Sequence, residues 1–121
     1  MSLLEPIAGL FPPKITQNLS TVIAASASVS SIVDLGGASL VGIIFPATMT
    51  GSSITFNASN DGVNFYEMYS TVGGALSVIF TASAWVGIVP SDFAGVKYLQ
   101  LVSNGTESSS RQITLIARIL E

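Results

Sequence analysis

The chain has 121 residues with no cysteine and no histidine, and seven acidic side chains outnumber four basic ones for a net charge of -3. That length suits one domain with its own core. The composition excludes a disulfide framework, thiolate chemistry and Cys-type zinc sites, removes the commonest general base, and leaves too few cations for the basic face a nucleic-acid partner demands.

Only 9% of the residues are charged and 49% are hydrophobic, whereas an ordinary soluble domain carries about 25% charge. One outlet for such a chain is the membrane. The longest uncharged apolar run, 38–47, is broken by Gly42 and Pro46 and is about half the roughly 20 residues a spanning helix needs, so no membrane partner is expected. The other outlet is a neutral polar surface set against partner chains, because interface cores are depleted in Lys, Glu and Asp. A monomer with a neutral surface is the alternative. The N-terminal stretch lacks a basic region and carries Glu5 where an apolar signal segment would run, which predicts synthesis without Sec export.

Residues 1–14 read as an arm and 15–121 as the folded domain. Leu3, Leu4, Ile7, Leu10 and Phe11 are apolar, and Pro6, Pro12 and Pro13 interrupt them. A helical turn fits at 6–10, with Pro6 at a first helical position. The residues Leu3, Leu4, Pro6, Ile7, Leu10, Phe11 and Pro12 are expected to anchor on a neighbouring subunit, each large buried side chain contributing roughly 1.5–3 kcal/mol. The alternative is an arm folded over its own domain.

Strands are expected at 15–24, 29–35 and 39–45. The last is apolar on both faces and therefore central, with Gly42 marking a bulge or a close backbone approach. The segment 52–70 reads as strand, turn, strand. Ile54, Phe56 and Ala58 alternate with Thr55, Asn57 and Ser59, and Asn60-Asp61-Gly62 supplies the turn. Further strands are expected at 75–81, with Leu76, Val78 and Phe80 on one face, and at 85–89, 96–103 and 112–120. Ser91 or Asp92 is placed to cap a helical turn, and 104–110 is a polar loop. Eight or nine short strands at 8–12 residue intervals predict an all-β fold, a single antiparallel sandwich or barrel.

Four stretches carry a resemblance. VDLGGASLVGIIF at 33–45, ITFNASNDGVNFYEMYS at 54–70, FAGVKYLQLV at 93–102 and ITLIARI at 113–119 resemble, in order, strands of discoidin or factor 5/8 C-type galactose-binding-like domains. The resemblance implies a jelly-roll-like sandwich. The end-joining cysteines of many such domains are missing, and Lys97 or Gln100 stands where their "RYVRL" strand has arginine. The texture of SNDGVNF, PSDFAGVKYLQLVS and RQITLIARI is also similar to small virion proteins of tailed bacteriophages. That similarity implies a structural role, location in the virion after synthesis in the host cytoplasm, and the major capsid protein or other virion subunits as partners.

No catalytic site is legible. Paired-carboxylate chemistry needs two acids about 5–10 Å apart. Among Asp34, Asp61, Glu67, Asp92 and Glu107, Asp61 and Asp92 have ordinary turn and cap roles, and only Glu67 lies within a strand. The serines have no histidine partner. Asn57, Asn60, Asp61 and Asn64 offer oxygens but a single carboxylate, short of a Ca²⁺ site. No metal or cofactor is expected, and the chain is read as a non-enzyme. The expected function is a capsid decoration or cement subunit, a homo-oligomer docking on the capsid. The alternative is a carbohydrate-binding module of a phage fibre or tail, in which Trp85 stacks on a glycan and Asn60, Asp61, Asn64 and Tyr66 hydrogen-bond it. A tail or connector subunit is a further alternative.

Overall fold

In the computed structural model, residues 16–71 and 73–119 are described. The expected arm, 1–14, with its anchor residues Leu3, Leu4, Pro6, Ile7, Leu10, Phe11 and Pro12, lies outside the described residues.

The sequence alternation becomes two antiparallel sheets packed face to face. One has the order β1 (Thr16–Ile23), β9 (Arg111–Arg118), β3 (Ser39–Ile44), β7 (Trp85–Gly87). The other has the order β2 (Val33–Asp34), β8 (Tyr98–Ser103), β4 (Ser53–Ser59), β5 (Tyr66–Glu67), with β6 (Ser77–Ile79) also pairing β4. The first is called sheet A and the second sheet B. The all-β sandwich expected from strand spacing is the observed fold.

Inward residues follow period 2. Ile113, Leu115 and Ala117 of β9 and Leu40 and Ile43 of β3 meet Ile54 and Phe56 of β4 and Leu99 and Leu101 of β8, all buried. Two aromatic pairs fix the spacing of the layers. Phe45 stacks on Phe80 with ring centroids 3.9 Å apart, and Phe56 meets Phe93 edge to face at 5.0 Å. Leu76, Val78 and Phe80 all pack on the core, as their alternation predicts.

Differences are local. The expected strand 29–35 shrinks to Val33–Asp34 plus a bridge from Val29 to Val102. The return strand of the central hairpin is only Tyr66–Glu67, with a further bridge from Tyr69 to Ala75. The turn at 90–93 is a short 3-10 helix begun by Val89 with no side-chain cap. Pro90, pre-set in φ at its first position, starts it without help from Ser91 or Asp92. Gly42 does both things expected of it. The β3–β9 register shifts between Leu40 and Gly42, and a Cβ at Gly42 would lie 2.6 Å from Trp85 Nε1.

Candidate functional site

Strand β7 is an edge of sheet A. Val86 and Ile88 turn inward onto the core, so Trp85 points out. Its partner across the ladder is Ile44, and Gly42 pairs with Gly87. Two facing glycines leave bare backbone beside the indole, which settles across Gly42 while remaining 63% exposed. Val41, Ile44 and Ile116 continue the apolar surface. Thr16, Asn18, Pro90 and Arg118, with part of Ile88, complete the lining of a shallow trough of about 470 Å³. Arg118 sits beside Thr16 in the β1–β9 register. By strand alternation, the outer face of sheet A presents Arg118 as its one charged residue among those described, and the outer face of sheet B presents Asp34 from β2 and Glu67 from β5.

The other predicted glycan contacts collect elsewhere. Asn60, Asp61, Asn64 and Tyr66 line a separate depression of about 430 Å³ at the end of sheet B, with Glu67, Met68 and Val96. Trp85 is not part of it. Tyr66 is well exposed there, but Asp61 is fully occupied by its own turn. Its Oδ1 accepts the N–H groups of Asn64 and Val63, both at 2.8 Å, and the Ser59 hydroxyl at 2.9 Å. Its Oδ2 accepts Asn64 Nδ2 at 2.8 Å. The Asn64 and Val63 N–H bonds, with the Asn64 amide and Ser59 hydroxyl, hold this carboxyl far below the usual carboxylate range. Gly62 supplies the left-handed residue at φ 78°. Asp61 is thus a turn-building carboxylate, as its Asn-Asp-Gly context suggests.

One acid behaves unlike its sequence setting. Glu107 lies in the polar loop 104–110, yet it is 0% exposed. Its Oε1 accepts Thr50 N–H at 2.8 Å and Arg111 Nε at 2.9 Å. Its Oε2 accepts Gly51 N–H at 2.9 Å and the Ser103 hydroxyl at 2.9 Å. Its own backbone bonds Ser26 and Ala27. Burial pushes this carboxyl up, but the Thr50 and Gly51 N–H groups, Arg111 and Ser103 outweigh it and hold the pKa down to about 2. One residue therefore ties three segments together, its backbone holding the 24–28 turn and its side chain joining the segment before β4 to Ser103 and Arg111 at the two ends of the β8–β9 loop. With all its acceptor sites used and its charge paired, it is a structural lock. The only trace in the sequence is a glutamate four residues before an arginine. Among the described residues, no group of three acidic, histidine or cysteine side chains could hold a metal ion, and no helix is long and apolar enough to cross a membrane.

No protein-family model matches the chain, and no curated protein matches it. Among solved structures, the fold is similar to that of the SPBc2 prophage-derived protein YomS. The two share 14% sequence identity with a TM-score of 0.56, over 86% of this chain and 95% of that one. At that identity the likeness is one of fold.

Proposed function

We propose that the chain is a non-enzymatic structural subunit of a phage particle, a capsid decoration or cement protein that docks on the major capsid protein. The observation that carries this reading is the Trp85 trough, a broad apolar surface on a sheet face nearly devoid of charge. Tryptophan and arginine dominate the energetics of protein interfaces when they become fully desolvated, and here Trp85 and Arg118 line one trough. The likeness to a prophage-derived protein supports the same setting, and so does the virion-protein texture of the hairpin and closing strands. Docking would spread apolar contact over a seam between capsid subunits and slow its opening. The apolar arm, from Leu3 to Pro12, adds a second anchor.

The test is uptake of the purified chain by particles assembled without it. Wild-type chain binds saturably, and Trp85→Ala weakens binding at least thirtyfold, the consequence of losing about 2 kcal/mol or more at an interfacial tryptophan. Removal of residues 1–13 leaves a folded domain that attaches poorly. Failure of the wild-type chain to bind such particles overturns the reading. The exposure of Trp85 beside Asn18 and Arg118 favours a second reading, a glycan site on a fibre or tail. A saturable change in the fluorescence of this lone tryptophan with host-surface polysaccharide, without particle uptake, selects that one.

A further inference from the structure

Exposed sheet edges normally carry a device against pairing with other chains: a very short strand, a charge, a proline or a bulge. Most edges here use brevity. β2 and β5 have two residues each, and β6 and β7 three. β1 is different. It runs for eight residues, pairs β9 with no break in register, and contains neither charge nor proline. Its far end is closed by Ser31, whose N–H donates to Val22 O at 3.0 Å and whose hydroxyl accepts Val22 N–H at 3.3 Å. Val22 therefore turns both backbone groups away from β9. These groups alternate in direction along an antiparallel strand, so those of Ser20, Asn18 and Thr16 also face the open side. No hydrogen bond among the described residues reaches them from that side.

We propose that this edge pairs with the same edge of a second copy, antiparallel about a two-fold axis at Asn18. In that register Thr16 faces Ser20, and Asn18 faces its own symmetry mate. Every facing residue then presents its N–H and C=O to the other strand, and each pair closes two hydrogen bonds. Moving the axis one residue toward Ile23 would set Thr16 against Val22, whose groups Ser31 already holds. The facing side chains suit self-pairing. Hydroxyl meets hydroxyl at Thr16 and Ser20, amide meets amide at Asn18, and no like charges oppose. On the inner side Gln17 faces Leu19, which is only partly buried in the single chain. The contact is isologous, so it closes as a dimer. It joins two four-stranded sheets into one and brings the Thr16 and Asn18 rims of both Trp85 troughs to the dyad. This inference does not depend on the virion reading.

The test is the solution mass of the full-length chain by sedimentation equilibrium in the micromolar range. The expected mass is twice the 12.5 kDa of the chain. Ser20→Pro removes only an edge-facing N–H and leaves the β9 ladder intact. Asn18→Lys places two ammonium groups on the axis. Both variants are expected to run as folded monomers with unchanged far-ultraviolet circular dichroism. The chain has no cysteine, so Asn18→Cys supplies a single thiol, and a short bismaleimide should join it to its mate in high yield. A wild-type monomer or an odd-numbered oligomer overturns the proposal. So does a dimer that survives both edge variants, or one lost on removal of residues 2–14 but kept in Asn18→Lys.

Discussion

Replacing Glu107 with glutamine keeps the side chain's shape and removes its charge. The two oxygens of Glu107 each accept a backbone N–H, from Thr50 on one side and Gly51 on the other. A glutamine amide has one oxygen and one NH₂, so either orientation sets a donor against one of those N–H groups. An unsatisfied buried donor costs about 1–3 kcal/mol, and Arg111 loses the carboxylate at 2.9 Å that neutralises it. Together these predict a loss of about 3 kcal/mol, in the range measured when one partner of a buried pair is removed. For a domain of this size that lowers the Tm by roughly 10–20 °C. The assay is thermal unfolding at pH 7 with urea titration beside it, using Glu67→Gln as the control. Glu67 is exposed and makes no side-chain bond among the described residues, so its substitution should stay within about 0.5 kcal/mol.

The pH dependence gives a second reading of the same lock. The folded pKa of Glu107 is about 2, below its ordinary 4.5. The unfolded chain therefore takes up this proton more readily than the folded one. The contribution is fully present above about pH 5, and it fades as the pH falls toward 2. The gap in stability between wild type and Glu107→Gln should narrow over that window, whatever other groups titrate in both proteins. If Glu107→Gln unfolds no more easily than Glu67→Gln, or the gap is constant from pH 7 to pH 3, the lock has been misread.

Other substitutions probe the remaining elements. Gly51→Ala would drive a methyl onto the Ser103 hydroxyl and to 2.8 Å from Asn104 Oδ1; urea unfolding should show a loss of about 1–3 kcal/mol. Gly42→Ala places its methyl under the Trp85 indole, so Trp85 should swing outward, with stronger acrylamide quenching and little change in Tm. Asp61→Ala removes the acceptor for Val63 and Asn64 N–H; those amides should exchange faster with solvent while core amides do not. Truncating Phe56, which packs edge to face on Phe93, should cost about 3–5 kcal/mol.

The sandwich was legible because its strands alternate cleanly. Ile54 and Phe56, Leu99 and Leu101, Ile113 and Leu115 each announce an inward face two residues apart, and the burial follows. Asp61 was legible because turn chemistry is local. Glu107 was not, since its partners Thr50 and Gly51 come from more than fifty residues away, and a polar loop gives no sign of folding its one acid inward. The grouping of Trp85 with Asn60, Asp61, Asn64 and Tyr66 rested on residue type alone. Sheet assignment separates them, because β7 joins β3 in one sheet while the hairpin belongs to the other. Asn18 and Arg118, which do line the tryptophan trough, are far from it in sequence and meet it only through the order β1-β9-β3-β7. The exposed edge of β1 likewise depends on which strands end up outermost, a property of topology that period-2 patterning does not encode.

The most direct test of the docking account is hydroxyl-radical footprinting of Trp85, comparing the isolated chain with the chain in its native particle. A tryptophan 63% exposed in the free domain should oxidise readily there. The account predicts strong protection of Trp85 in the particle, with Tyr66 at the far hairpin still reactive. Equal oxidation of Trp85 in both states would contradict it, because the face said to carry the contact would then be in water.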